Sequence, residues 1–326
     1  METARDNAMK PKILLGTSSF GKSNPAPIKL MESHGLEVIP NPYGRKLTRE
    51  ELIELLPGMD GLLAGLETVD RGVLKASELK VVSRCGSGIS NVDVEACKEL
   101  GIVFKYTPFG PTQAVAELTV AMMISLLRDA WAMHANLCKG KWDKRVGFQL
   151  KGKTVVIIGF GRIGHRTASL LEPFEINLIA VDPFLQIEEK PVTMMELHGA
   201  LPQADIVVLH AGGEDLIIGK EQFAMMKNGA FLCNAARGQN VDETALLAAL
   251  DSGKVAGAWL DSFAAEPYHG PLCGHSKVIL TPHVGSYTVG GRMAMEMEAA
   301  QNVIDGLAEA NKDPAFIKLN TPNAPA

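Results

Sequence analysis

The amino-acid sequence predicts an α/β fold with two doubly wound parallel sheets. Short apolar segments of strand length alternate with segments of helical periodicity, which favours right-handed βαβ units. The 326 residues are 46% hydrophobic and 21% charged, which is globular composition and enough chain for about two domains. A long apolar helical segment, Gln113–Lys139, separates the alternation into two blocks. We therefore expect two αβ domains.

The first block contains five predicted strands. Thr48 and Glu51 have the spacing of a capping box, so a helix is predicted over Glu50–Leu56, ending at Pro57-Gly58. The predicted strands are Lys12–Gly16, Leu36–Ile39, Gly61–Ala64, Lys80–Ser83 and Ile102–Lys105, and the other helices are Ile28–Ser33 and Val92–Leu100.

The second block begins at Lys153. Asp242 is the predicted N-cap of a helix over Glu243–Leu250, and Thr193 with Glu196 indicates another capping box. The predicted strands are Val155–Ile158, Leu178–Val181, Ile206–Leu209, Ala230–Cys233, Val255–Leu260 and Val278–Leu280, with helices from Arg162 and over Arg292–Ala310.

Composition excludes several classes of function. The net charge of −5 argues against a nucleic-acid or membrane-surface partner. Leu118–Leu127 is the longest strongly apolar stretch, and it is too short for the roughly 20 residues of a membrane span. The N-terminus shows no secretory signal, and five scattered cysteines suit a reducing compartment, so a cytoplasmic location is expected. Cys273 and His275 form an isolated pair, so no metal site is expected.

Two glycine motifs have the wrong context for a nucleotide. Gly147–Thr154 matches a P-loop string, but it follows a polar stretch and leads into a strand, the reverse of the required order. Gly86–Asn91 follows a strand but lacks the third glycine of a dinucleotide motif. We interpret the former as a lead-in to a strand. The latter is either a tight turn or a loop of exposed amides facing a cleft.

A third glycine motif has the features of a dinucleotide site. Gly159-Phe-Gly161-Arg162-Ile163-Gly164 lies between an apolar strand and a helix, which would place a pyrophosphate on the helix N-terminus. Asp182 ends the next strand, 18 residues after Gly164, close to the expected spacing of about 20 for the acidic residue that binds a ribose. No basic residue follows before Lys190, so the motif favours NAD over NADP.

Three polar residues follow neighbouring predicted strands of this block, where groups that bind a substrate and move a proton are needed. They are Arg237, Glu266 and His283. Each has a simpler alternative: an arginine at the surface, a glutamate that caps a loop, or a histidine that merely ends a strand, as His210 does. Their occurrence together is what favours a catalytic set.

The sequence resembles the D-isomer-specific 2-hydroxyacid dehydrogenase family, which includes the D-3-phosphoglycerate dehydrogenases. The resemblance implies a Rossmann NAD-binding domain, residues 107–288, inserted in a smaller flavodoxin-like substrate domain, residues 1–106 and 289–326. The segments that carry the resemblance, in order along the chain, are Arg84–Asp93, Val115–Leu127, Gly159–Gly164, Asn234–Gly238, Asp261–Pro267 and Thr281–Thr288.

This resemblance implies a catalytic triad of Arg237, Glu266 and His283. His283 would exchange a proton with the substrate oxygen, Glu266 would orient the imidazole, and Arg237 would bind the carbonyl and carboxylate. The resemblance also implies that Ser87, Gly88 and Ile89 bind the carboxylate from the other domain, across a cleft. The implied cofactor contacts, for NAD, are Gly159, Gly161, Arg162, Ile163, Gly164, Asp182, Ala235 and Asp261.

Two segments depart from the family pattern. His210-Ala-Gly-Gly-Glu214-Asp215 replaces the usual His-x-Pro-Leu-Thr near the cofactor, and Gly65-Leu66-Glu67 stands where phosphoglycerate enzymes often carry an arginine. The expected reaction is NAD-dependent interconversion of a D-2-hydroxy acid and its 2-oxo acid, with 3-phosphoglycerate as one candidate substrate. The alternatives are a glyoxylate or hydroxypyruvate reductase and, in another class, an NAD-sensing corepressor-like protein. A homodimer around Gln113–Lys139 is also implied.

Overall fold

The computed structural model describes residues 10–185 and 192–311, which form two compact units. Among the described residues, one unit comprises 10–111 and 288–311, and the other comprises 112–185 and 192–287. Each unit contains one sheet in which the neighbouring strands run parallel. The predicted α/β fold class is confirmed.

The first unit has a five-stranded sheet in the order β2-β1-β3-β4-β5, which is the flavodoxin-like order. A helix at the end of the chain packs on β3, β4 and β5, and Ser83 Oγ donates to Ala299 O at 2.9 Å. The elements are β1 (Lys12–Leu15), α1 (Ala26–Ser33), β2 (Glu37–Ile39), α2 (Arg49–Leu55), β3 (Gly61–Ala64), α3 (Arg71–Lys75), β4 (Val81–Arg84), α4 (Val94–Glu99), β5 (Val103–Tyr106) and, after the second unit, α11 (Val289–Asn311).

The second unit has a seven-stranded sheet in the order β12-β11-β10-β9-β6-β7-β8, the Rossmann order with one added edge strand. Its helices and strands are α5 (Thr112–Arg128), α6 (Ala130–Cys138), β6 (Thr154–Ile158), α7 (Arg162–Leu171), β7 (Asn177–Val181), β8 (Val192–Met194), α8 (Leu197–Ala200), β9 (Ile206–Leu209), α9 (Lys220–Met225), β10 (Ala230–Asn234), α10 (Glu243–Asp251), β11 (Val255–Leu260) and β12 (Val278–Leu280).

Both faces of the seven-stranded sheet are buried, which explains its continuous apolar strands. Side chains alternate between faces along β6: Val156 and Ile158 belong to one hydrophobic cluster, and Val155 and Ile157 to the other. Burial of each such side chain contributes roughly 1.5–3 kcal/mol. Strand positions were predictable for this reason.

Local capping signals were correct at two helices. Thr48 and Glu51 form the reciprocal capping box at the start of α2, and Asp242 Oδ1 accepts from Ala245 N at 3.0 Å at the start of α10. The capping box predicted at Thr193 and Glu196 is wrong, because Thr193 lies within β8 and pairs with Ile179 of β7. Glu196 is instead the N-cap of α8 and makes no side-chain capping bond.

The single helix predicted over Gln113–Lys139 is also wrong. Asp129 adopts a left-handed conformation, with φ 51°, and divides the segment into α5 and α6. Aspartate tolerates this conformation better than most residues, and Asp129 forms an ion pair with Arg145. The break therefore occurs without a glycine or proline to indicate it.

The P-loop-like string is structural, as interpreted. Phe148 N donates to Leu127 O at 2.9 Å, and a Cβ atom on Gly147 would lie 2.3 Å from that oxygen. The string ends in β6, so it offers no helix N-terminus to a phosphate. Among the described residues, no helix combines the length and apolar character that crossing a membrane requires.

Candidate active site

A histidine and a glutamate are hydrogen-bonded beyond the carboxyl ends of β11 and β12. His283 Nδ1 donates to Glu266 Oε1 at 3.0 Å and Oε2 at 3.1 Å, and Phe263 N also donates to Oε1 at 3.1 Å. The two side chains are 32% and 26% exposed, respectively. Because Nδ1 carries the hydrogen of this bond, Nε2 is the ring nitrogen that can exchange a proton with a bound molecule.

The turn that carries His283 is held by a buried carboxylate. Asp261 is only 3% exposed, and its Oδ1 accepts from Thr281 Oγ1 at 2.6 Å and Val284 N at 2.9 Å, while Oδ2 accepts from Gly285 N at 2.8 Å. His283 itself has a φ of 54°, which costs energy in a residue with a Cβ atom. Asp261 therefore stabilises an unfavourable backbone conformation at the candidate proton donor.

Arg237 lies just beyond β10, in a loop held by two fully buried asparagines. Asn234 Nδ2 donates to Arg237 O at 2.9 Å, and Arg237 N donates to Asn240 Oδ1 at 3.0 Å. Burial lowers the pKa of the Arg237 guanidinium, whereas the charges of Glu214 and Glu266 raise it. The structure thus brings the three predicted catalytic residues together at neighbouring strand ends of one sheet.

The glycine motif forms a tight turn between β6 and α7. Gly159 has a φ of 87°, and a Cβ atom there would lie 2.3 Å from Ala211 N. A Cβ atom on Gly164 would lie 2.4 Å from Gly159 O, so the helix approaches the turn too closely for a side chain. At Gly161, by contrast, a Cβ atom would meet nothing within 4 Å. This loop fits a dinucleotide, because open space faces its central glycine at a helix N-terminus.

Asp182 is bonded to the same loop. Its Oδ2 accepts from Phe160 N at 2.8 Å, and its Oδ1 accepts from Phe184 N at 2.9 Å. The two other predicted contacts of this loop, Arg162 and Ile163, are the first residues of α7. Ala235 follows β10, and its N donates to Leu209 O at 3.3 Å. Lys190, the first basic residue after Asp182, lies outside the described residues.

The predicted substrate loop belongs to the other unit. Gly86 N donates to Thr107 Oγ1 at 2.6 Å just beyond β4, Ser87 and Gly88 are half-buried, and Ile89 is exposed. In the parts of the chain that the structure describes, no three His, Cys, Asp or Glu side chains are grouped to hold a metal ion.

Sequence reasoning missed two residues that shape the site. Asn240 is fully buried and bonds both the Arg237 loop and the loop after β9, while Thr281 Oγ1 lies between Trp259 Nε1, at 2.9 Å, and Asp261. Apart from Arg237, which is three residues before Asn240, their partners are distant in sequence, and no spacing rule connects those. Glu214 was recognised as a departure from the family pattern but was given no role.

Comparison with known proteins identifies the family. The sequence model described as "D-isomer specific 2-hydroxyacid dehydrogenase, NAD binding domain" matches residues 120–285, a range that includes the glycine motif, Arg237, Glu266 and His283. The hydroxypyruvate reductase of Thermotoga maritima is 33% identical over 289 residues, 85% of this chain and 93% of that protein. The chain belongs to the D-isomer-specific 2-hydroxyacid dehydrogenase family. The resemblance inferred from the sequence is confirmed, and so is a nicotinamide cofactor, NAD.

Two further comparisons agree with this membership. The D-3-phosphoglycerate dehydrogenase of Archaeoglobus fulgidus is 34% identical over 290 residues, 85% of this chain and 54% of that protein. The chain thus spans about half the length of the D-3-phosphoglycerate dehydrogenases that it matches. A glyoxylate reductase structure from Paecilomyes thermophila is 27% identical, with a TM-score of 0.82 over 92% of this chain and 96% of that chain.

Proposed function

We propose that the chain is an oxidoreductase that interconverts a D-2-hydroxy acid and its 2-oxo acid with NAD. The observation that carries the proposal is the His283–Glu266 hydrogen-bonded pair. The charge of Glu266 also raises the pKa of the Arg237 guanidinium. A proton donor and an anion-binding group are the two functions that this reaction requires of protein side chains. All three residues lie at the strand ends of the sheet that carries the glycine motif.

The roles of the residues follow from their chemistry. In the reductive direction, His283 Nε2 donates a proton to the carbonyl oxygen of the 2-oxo acid, and in the oxidative direction it accepts that proton from the hydroxyl group. Glu266 holds the imidazole in place through Nδ1. The Arg237 guanidinium binds the carboxylate and carbonyl oxygens, which its planar donor geometry suits. Bound NADH supplies the hydride.

The residues proposed to bind NAD follow the strand ends from β7 to β11. Asp182 accepts hydrogen bonds from the adenosine ribose. Its carboxylate disfavours NADP, because it repels the 2′-phosphate. Ala235 and Asp261 would hold the nicotinamide end. The glycine motif would hold the pyrophosphate, by Gly159, Gly161, Arg162, Ile163 and Gly164.

The discontinuous unit, with predicted limits 1–106 and 289–326, is proposed as the substrate-binding domain, and 107–288 as the NAD-binding domain. Ser87, Gly88 and Ile89 bind the substrate carboxylate through their backbone amides. Gly65-Leu66-Glu67 offers no arginine to a phosphate. The Glu67 side chain is buried, 1% exposed, with Oε1 accepting from Gly65 N at 2.8 Å, and burial raises the pKa of its carboxyl group. This arrangement favours glyoxylate or hydroxypyruvate over a phosphorylated substrate such as 3-phosphoglycerate.

The test is NADH oxidation, followed by absorbance, with glyoxylate, hydroxypyruvate and phosphohydroxypyruvate. We expect turnover with at least one of them, and we expect His283→Gln to abolish it while NADH binding is retained. His275→Gln is the matched control, because His275 faces Asp251 at 3.4 Å before the amino end of β12, whereas His283 follows the carboxyl end of that strand. Wild-type protein that binds NADH but reduces no 2-oxo acid would overturn the proposal in favour of the NAD-sensing alternative.

A homodimer and a cytoplasmic location are also proposed. Trp142 and Val146, beyond α6, are exposed, as is Leu137 within it, which favours a partner surface here. The expected partner is a second copy of the chain, and light scattering of the purified protein tests this. All five cysteines are free thiols, which suits a reducing compartment.

A further inference from the structure

The loop between β9 and α9 carries a glutamate, Glu214, and one buried asparagine joins this loop to the Arg237 loop of the candidate site. Asn240 Nδ2 donates to Gly213 O at 3.2 Å and to Asp215 O at 2.9 Å. These carbonyl groups flank Glu214, so the backbone on both sides of Glu214 is fixed by one side chain. The Glu214 side chain itself is exposed.

The same asparagine fixes the Arg237 loop. Asn240 Oδ1 accepts from Arg237 N at 3.0 Å, and Asn240 is 0% exposed. The backbone carbonyl oxygen of Asn240 accepts from Ile217 N at 3.0 Å and from Ile218 N at 2.9 Å. Asn240 therefore connects the Glu214 loop and the Arg237 loop at a site that water does not reach, which makes their relative position well defined.

Glu214 acts electrostatically on Arg237. After burial, which lowers the pKa of the guanidinium, the charge of Glu214 has the largest influence and raises it, ahead of Glu266. Glu266 is hydrogen-bonded to His283, so its charge is compensated when that imidazole is protonated. Glu214 thus adds a negative charge to the surroundings of the guanidinium that would bind a substrate anion.

We propose that Glu214, positioned by Asn240, is a specificity-determining residue that makes the site discriminate against ligands with a second negative charge. The proposal rests on the function proposed above, in which Arg237 binds the substrate carboxylate. A monoanion is attracted by Arg237 and repelled once by Glu214. A dianion meets both the attraction and the repulsion twice, so Glu214 cancels part of the advantage that a second negative charge would otherwise gain from Arg237.

The size of the effect follows from the exposure of the two charged groups, since Glu214 is exposed and Arg237 is half-buried. A charge–charge interaction at such a site changes affinity by roughly fivefold, and salt reduces it. Removing the charge of Glu214 is expected to raise the affinity for a monoanion roughly fivefold and the affinity for a dianion roughly 25-fold. The ratio of the two dissociation constants therefore changes roughly fivefold, independently of any general change in affinity.

Oxamate and oxalate provide the test, because they have nearly the same shape and differ by one charge. Their dissociation constants are measured calorimetrically on the full chain saturated with NADH, for wild type, Glu214→Gln and Asp215→Asn. Asp215→Asn is the matched control, since it removes one charge from the next residue of the same loop. We expect Glu214→Gln to lower the oxalate-to-oxamate ratio of dissociation constants roughly fivefold, and Asp215→Asn to change it less than twofold.

Each outcome decides the proposal. An unchanged ratio in Glu214→Gln, or an equal change in Asp215→Asn, overturns it while leaving the proposed function intact. If neither anion binds to wild type, the assigned role of Arg237 fails, and both proposals fall. Asn240→Ala tests the positioning role: with the loop released, adding Glu214→Gln is expected to change the ratio less than it does in wild type. An undiminished effect of Glu214→Gln in that background would refute the role of Asn240.

Discussion

Substituting Asp261 by asparagine separates two roles for this residue. The family resemblance assigns Asp261 to the nicotinamide end of the cofactor, whereas the structure shows both of its carboxylate oxygens bonded to the turn that carries His283. Asparagine keeps the size and one acceptor oxygen, but it places an NH₂ group where the other oxygen was. At least one of the donors, Thr281 Oγ1, Val284 N or Gly285 N, then faces another donor.

The magnitude can be worked from these contacts. One charge-assisted hydrogen bond is lost and the others become neutral bonds. Each of these changes lowers the free energy of unfolding by about 1 kcal/mol or more. Asparagine also avoids burying a charge, which offsets part of the loss. If the turn relaxes, relief of the left-handed conformation of His283 returns roughly 1 kcal/mol. We expect a net loss of about 2 kcal/mol in the free energy of unfolding, or about 4–8 °C in Tm for a unit of this size.

The functional consequence is a displaced imidazole. A shift of about 1 Å in a catalytic group lowers kcat by roughly 100-fold. We therefore expect Asp261→Asn to reduce kcat roughly 100-fold, while the dissociation constant of NADH changes less than about threefold. Fluorescence titration with NADH, steady-state kinetics and thermal unfolding measure the three quantities.

The control is Asp242→Ala, which removes the N-cap bond of α10 and should lower stability by about 1 kcal/mol without reducing kcat. A result in which Asp261→Asn weakens NADH binding more than tenfold, with kcat and Tm near those of wild type, would refute the positioning role. That result would support a direct contact with the nicotinamide instead.

Two further predictions concern the glycine turn and a buried histidine. Gly164→Ala should lower both stability and NADH affinity, because its Cβ atom would lie 2.4 Å from Gly159 O. Gly161→Ala should weaken NADH binding with Tm nearly unchanged, because its Cβ atom meets nothing within 4 Å. Equal Tm values for the two variants would contradict this explanation. Burial lowers the pKa of His210 to about 3, so the unfolded chain binds the proton first as pH falls, and the stability from neutral His210 is complete above about pH 6.5 and lost progressively towards pH 3. Urea unfolding at pH 7 and pH 5 should show about 2 kcal/mol less pH-dependent loss in His210→Gln than in wild type, and an equal loss in both would contradict the assignment.

The sequence predicted the parts of the fold whose signal is local. The strand β6 is a run of buried apolar residues, and the three glycines after it have fixed geometric roles, so both were found by pattern alone. The hydrogen-bonded partners Glu266 and His283 were found because both follow strands that the pattern makes neighbours. In each case the residues that decide the structure are close in sequence or follow from the order of strands.

The parts that escaped prediction depend on distant contacts. Asp129 breaks the helix between α5 and α6 without glycine or proline, while its side chain pairs with Arg145 sixteen positions later. Asn240 is buried although asparagine is usually exposed, because its side chain is satisfied by Gly213 and Asp215. A pattern of single residues carries no information about such pairs, so these features required the structure.

Two buried side chains determine how the candidate site is built, and their chemistry assigns them different effects. Asp261 can only accept hydrogen bonds, so it gathers donors from one turn and fixes the position of His283. Asn240 both donates and accepts, so it joins two loops and fixes Glu214 relative to Arg237. A change at Asp261 should therefore appear in kcat, because it moves the proton donor. A change at Asn240 should appear in the affinity for anions and in the discrimination between them, because it releases both the Arg237 loop and the Glu214 loop. Rate and specificity then depend on different residues beyond the carboxyl ends of the same sheet. Asp261→Asn is expected to change the rate, and Glu214→Gln is expected to change the specificity.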